Sequence, residues 1–160
     1  MAQHERKNLR LKGYDYSQNG VYFITICSKE KAKLFGKVVG DGVLDVPHVD
    51  LSHIGKTVEK YIKSVEVNYD FISIDKYVVM PNHVHLLIMI YNGVNAVYTG
   101  ANSTIPRIVS TLKRFVNRDL GYNVFQRAYH DHIIRNQSDY DEIWQYIDEN
   151  PLKWQSDCYY

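Results

Sequence analysis

Apolar residues divide the chain into segments of two periods. "VYFITICS", Val21 to Ser28, alternates and is rich in β-formers, which predicts a strand. "KLFGKVVGDGVL" follows, and its Gly40-Asp41-Gly42 turn signal predicts a short hairpin. Behind Ser52, a residue suited to an N-cap, Leu51, Ile54, Val58, Tyr61 and Ile62 recur at helical spacing, predicting a helix to about Val65. Phe71 to Tyr91 holds two strands divided by "MPN", where Pro81 and Asn82 make a turn or bulge. The small, polar stretch from Asn92 to Thr104 predicts a mobile loop.

From Ile105, "IPRIVSTLKRFVNRDLG" places Ile108, Val109, Leu112, Phe115 and Val116 on one face, with Pro106 near the start and Gly121 at the end. A second helix follows from that spacing. Val124 to Asn136 predicts another strand, and a third helix then opens with Ser138 or Asp139 as cap and stops before Pro151. This order of elements implies an α+β fold: a ferredoxin-like antiparallel sheet with helices packed on one face, plus a C-terminal helix.

With 160 residues, 45% of them hydrophobic, the chain is expected to form one domain over residues 1–160. Residues 1–18, with Arg6, Lys7, Arg10 and Lys12, are expected as a flexible basic arm. Cys27 and Cys158 are the only cysteines and lie far apart, which excludes a disulfide framework and a cysteine zinc motif and fits a reducing cytosol. No apolar run reaches the length of a membrane span and the N-terminus has no signal-like apolar core, so a cytoplasmic chain without membrane contact is expected. The formal net charge of +1 points to no nucleic acid by itself. The second helix, however, carries Arg107, Lys113, Arg114 and Arg118 against the single acid Asp119, a local net of +3. Lys113, Arg114 and Arg118, joined by Arg127 on the next segment, are therefore candidate DNA-backbone contacts.

The chemistry concentrates in two places. In "MPNHVHLLIMI", His83 and His85 stand two residues apart in a strand and so present both imidazoles to one face. His130 and His132 form a second such pair, and spacing alone does not choose between them. On the third helix, Tyr140, Ile143, Trp144 and Ile147 form the apolar stripe expected to face the sheet. Tyr146 lies about 120° from the centre of that stripe, and Asn150 projects one turn on from the same flank. A phenol beside a metal held by two imidazoles can attack phosphorus once a Lewis acid neutralises the phosphate oxygens. An amide oxygen added to two imidazoles leaves coordination positions open for the substrate.

His83-Val84-His85 preceded by "MPN", together with "YIDENP" carrying Tyr146 and Asn150, resembles the single-tyrosine HUH transposases of the IS200/IS605 type. The run "FQRAYHDHIIRN…YDEIWQYIDENPLKW" more closely resembles the REP-associated tyrosine transposase branch. The resemblance implies His83, His85 and Asn150 as ligands of a divalent metal, Mg²⁺ or Mn²⁺, and Tyr146 as the nucleophile. It also implies cleavage and rejoining of single-stranded DNA beside a hairpin, through a 5′-phosphotyrosine and a free 3′-hydroxyl. This branch has asparagine where other members use glutamine. Two imidazoles favour Mn²⁺ over Mg²⁺, which prefers oxygen. Both monomers and homodimers occur in such transposases. The alternatives are a non-catalytic hairpin-binding module on the same fold, or a metal-dependent nuclease that uses water.

Overall fold

The computed structural model describes residues 10–40, 43–91 and 103–159. Its elements are β1 (Gly20–Cys27), β2 (Gly36–Val39), β3 (His48–Leu51), α1 (His53–Asn68), β4 (Ile72–Val79), β5 (His83–Ile90), α2 (Thr104–Leu120), β6 (His130–Ile133) and α3 (Gln137–Asp148), with short 3₁₀ turns at Lys29–Lys31 and Trp154–Ser156. β4, β5, β1 and β6 form an antiparallel sheet in that order, and β2 and β3 make a separate two-stranded ribbon. The fold class is therefore α+β, as the order of periodic segments implies.

Alternation along the two inner strands gives the sheet unlike faces. Tyr22, Ile24 and Ile26 of β1 and Val84, Leu86, Ile88 and Ile90 of β5 enter one core with Val58, Ile62 and Val65 of α1 and Ile108, Leu112 and Val116 of α2. The intervening residues, Thr25 of β1 and His83 and His85 of β5, point the other way and are buried too. That second face meets α3 and the segment after it. The alternation fixes register, since a slip by one residue would exchange the apolar and the histidine faces.

Local signals explain most boundaries. Ser52 Oγ accepts from the Gly55 amide at 3.1 Å and caps α1. Gly121, at φ 82, ends α2 in the left-handed conformation that glycine adopts most readily. The turn between β4 and β5 contains Pro81 and Asn82, as expected.

Three expectations are corrected. The strand expected over Val124–Asn136 shrinks to β6, because the carbonyls of Gln126, Arg127 and Ala128 accept from Lys113 Nζ at 2.8, 3.2 and 3.2 Å. α3 is capped by Asn136, whose side chain accepts from the Asp139 amide at 2.9 Å, and not by Ser138 or Asp139. The inward face of α3 is also rotated: Ile147 is buried and Tyr146 half-buried, whereas Trp144 is exposed beside Tyr140 and Lys76. Residues 10–18 of the expected arm lie on the fold, with Tyr16 buried and the Arg10 guanidinium 4.7 Å from the Tyr129 ring centre. Arg6, Lys7, the Asp41-Gly42 turn and most of the loop expected over Asn92–Thr104 fall outside the described residues.

Candidate metal centre

His83 and His85 sit at the start of β5, an inner strand paired on both sides, with ring centres 4.5 Å apart and no solvent exposure. Each ring is fixed from behind. Asn82 Oδ1 lies 2.8 Å from His83 Nδ1, while Asn82 Nδ2 donates to the carbonyls of Lys31 and Tyr159. With its oxygen the only acceptor left, Asn82 requires a proton on His83 Nδ1 and leaves the Nε2 lone pair facing inward. Thr25, cross-strand from His85, holds His85 Nδ1 at 2.8 Å.

Burial lowers both imidazoles. His83 is brought down to about 4 by desolvation, opposed by the Asp157 carboxylate and the Asn150 amide. His85 is held well below its ordinary value by burial and then by His83. Both rings are therefore neutral near pH 7, the form that ligates metal.

α3 brings Tyr146 to the same place, with its ring centre 5.2 Å from that of His85 and 6.0 Å from that of Phe23. Burial pushes the Tyr146 phenol up to about 12, with the Asp157 charge adding to the effect and Asn150 opposing it. Asn150, just past α3, is buried and acts electrostatically on both His83 and Tyr146.

Asp157, which the sequence reading missed, arrives from the C-terminal segment. Its side chain is 1% exposed, its Oδ2 lies 3.9 Å from His83 Nε2, and its ligand atom and those of His83 and His85 are within 4.8 Å of one another. Tyr159 places its ring 4.7 Å from that of His83. Periodicity offers no signal for either residue, because both lie beyond the last helix. Thr25 did carry one, as a polar residue in an apolar strand.

Six buried side-chain nitrogen or oxygen atoms among the described residues lack a hydrogen-bond partner, and four of them are His83 Nε2, His85 Nε2, Asn150 Oδ1 and Asp157 Oδ2. Such atoms are costly unless something binds them. Two neutral imidazoles, a carboxylate and an amide oxygen fit a divalent transition ion such as Mn²⁺ better than Mg²⁺.

The basic residues lie elsewhere. Lys113, a candidate DNA-backbone contact by its charge, is turned inward onto the three carbonyls described above, and burial pulls its ammonium down to about 8. Arg114 and Arg118 flank the Phe115 ring on α2, across the sheet from the histidines. Arg127 is exposed. His132 Nε2 meets the Asp139 carboxylate at 2.9 Å, an ordinary strand histidine, and His130 is exposed.

No family model matches the sequence. The fold is shared with the solved structure of a REP-associated tyrosine transposase bound to a REP hairpin, at a TM-score of 0.62 and 20% identity, covering 96% of this chain and 74% of that one. The chain belongs to the same family as an uncharacterized protein of Haemophilus influenzae, to which it is 33% identical over 176 aligned positions, covering 98% of this chain and 94% of the relative. Among the described residues no helix is long and apolar enough to cross a membrane.

Proposed function

We propose that this chain is a metal-dependent transposase or endonuclease that cuts and rejoins single-stranded DNA beside a hairpin, with Tyr146 as nucleophile. The observation that carries the reading is the convergence of His83, His85 and Asp157, with ligand atoms within 4.8 Å of one another, beside a tyrosine. His83, His85, Asn150 and Asp157 would hold Mn²⁺ or Mg²⁺. The ion supplies neutralisation of the non-bridging phosphate oxygens when bound. The shared fold supports DNA as the substrate, and the hairpin on the structural relative supports a hairpin as the feature recognised.

In the proposed step, Tyr146 Oη attacks phosphorus and loses its proton, a phosphorus–O(Tyr) bond forms, and the bond to the 3′-oxygen breaks. That oxygen takes up a proton and leaves as a free 3′-hydroxyl. Rejoining reverses the exchange with a 3′-hydroxyl as attacker, so the phosphotyrosine conserves the energy of the broken bond and no nucleotide cofactor is needed. Asn82 and Thr25 hold the imidazoles in place throughout. Arg114, Arg118 and Arg127 remain proposals for backbone contacts away from the reacting phosphate, and Lys113 does not, since its ammonium is engaged internally.

The test is incubation of the chain with labelled DNA hairpins bearing single-stranded flanks, in Mn²⁺ or Mg²⁺, followed by denaturing electrophoresis. A protein–DNA adduct that disappears with Tyr146→Phe supports covalent chemistry. Cleavage that survives Tyr146→Phe but is lost with His83→Ala assigns the attack to water, and salt-sensitive binding without cleavage indicates a binding module.

A further inference from the structure

A cleft of about 950 Å³ opens beside the candidate centre. One wall is the β2–β3 ribbon with Lys33 and Lys37; the other is the segment from Pro151 to Ser156; Pro81 completes the lining. Each part of this wall runs into the site along the chain: Pro81 is two residues before His83, Pro151 follows Asn150, and Ser156 precedes Asp157. Trp154 is shared by the two places, its ring centre 6.0 Å from that of His83 and 5.6 Å from Lys33 Nζ.

The lining has a distinct chemistry. It contains three lysines, Lys33, Lys37 and Lys153, and no carboxylate, in a chain with 18 acids against 19 lysines and arginines. Lys153 is ion-paired with Glu149 at the rim. Between the lysines lie accessible apolar surfaces from Pro47, Pro151 and Leu152, while Pro81 and Trp154, which also line the cleft, are buried. A ligand that suits this wall repeats anionic groups and presents flat apolar ones between them. Single-stranded nucleic acid does so, because its bases are free to stack on protein, whereas a duplex keeps its base faces covered.

We propose that this cleft is the track for the single-stranded DNA flanking the scissile phosphate, with Lys33 and Lys37 on backbone phosphates and the surfaces of Pro47, Pro151 and Leu152 against bases. The proposal rests on the DNA-processing reading above. It moves the strand-binding surface from α2, where sequence charge concentrates, to the segments that flank the histidines and Asp157 along the chain.

The experiment uses the full chain in EDTA and fluorescence anisotropy with two probes: a labelled oligothymidylate of about a dozen nucleotides and a blunt DNA hairpin of similar length. The variants are Lys33→Gln with Lys37→Gln and, as a charge-matched control on α1, Lys60→Gln with Lys63→Gln. The cleft variant is expected to bind oligothymidylate about tenfold more weakly at low salt, with a salt slope shallower by about 1.4 for two lost phosphate contacts. The control should stay within about twofold of the unsubstituted chain, and the blunt hairpin should scarcely distinguish the cleft variant from it. Unchanged oligothymidylate binding, an equal loss in the control, or an equal loss on the blunt hairpin each overturns the proposal. No metal or cleavage is involved, so failure of the tyrosine chemistry appears only in the adduct assay and failure of the track only here.

Discussion

The two faces of the sheet are built from the same two strands, one residue apart, and they are buried for opposite reasons. Toward α1 and α2, Ile24 and Leu86 bury hydrocarbon among hydrocarbon, and the arrangement stabilises the fold by removing apolar area from water. Toward α3, Thr25, His83 and His85 bury polar atoms, and the two imidazoles keep an inward nitrogen without a partner. A sheet face built in this way costs stability, and the apolar face offsets that cost.

The sharpest break between the faces is in reactivity. Tyr146→Phe and His83→Ala are each expected to reduce adduct formation to background, while circular dichroism shows that both variants remain folded. Adduct formation by the phenylalanine variant would remove Tyr146 from the nucleophile's role.

Neighbouring residues of β1 then separate stability from metal affinity. Ile24→Ala should cost about 2–5 kcal/mol, read as a fall in thermal midpoint on the order of 10 °C. Thr25→Val, on the histidine side, should move the metal-free midpoint far less but weaken Mn²⁺ binding about 10- to 100-fold in calorimetry, because His85 loses the group that orients it. Equal midpoint losses from the two substitutions would mean that the faces do not differ as described.

Asp157→Asn tests the buried carboxylate. Without metal the variant should be about 1 kcal/mol more stable, since it no longer buries a charged oxygen lacking a partner. With Mn²⁺ its gain in midpoint should be smaller than that of the unsubstituted chain. A metal-free midpoint that falls would contradict this account.

The smallest effect concerns Lys113. Its ammonium is held near 8 in the fold against an ordinary 10.5, so between those values the unfolded chain keeps a proton that the folded one has released. Stability contributed by this group therefore rises as pH increases through that window. Denaturant unfolding of the unsubstituted chain and Lys113→Met should show the gap between them widening from pH 8 to 10.5.

Much of this contrast was legible in the sequence. The His-x-His spacing placed both imidazoles on one face, and the caps at Ser52 and Gly121 marked where α1 and α2 begin and end. The rotation of α3 was not legible, because the apolar count favoured Trp144 for the interior. The fold instead leaves Trp144 outside against Tyr140 and Lys76, and a half-polar face bearing Tyr146 and Asn150 turns inward. Lys113 was misjudged for a related reason: charge on a helix predicts solvent, but here an ammonium collects carbonyls that would otherwise have continued a strand. Asp157 left no trace, since its position depends on how an aperiodic segment folds back.

The proposed ligand set also spans two parts of the chain with different tethering. His83 and His85 belong to an inner strand bonded on both edges, whereas Asn150 and Asp157 sit on a short terminal stretch. In deuterium exchange, the amides of β5 should therefore open only with global unfolding, and those around Asp157 in a local event of much lower free energy. Half of the proposed coordination sphere would thus detach while the other half stays in register, and the residence time of a bound ion would be set by the motion of the C-terminal segment.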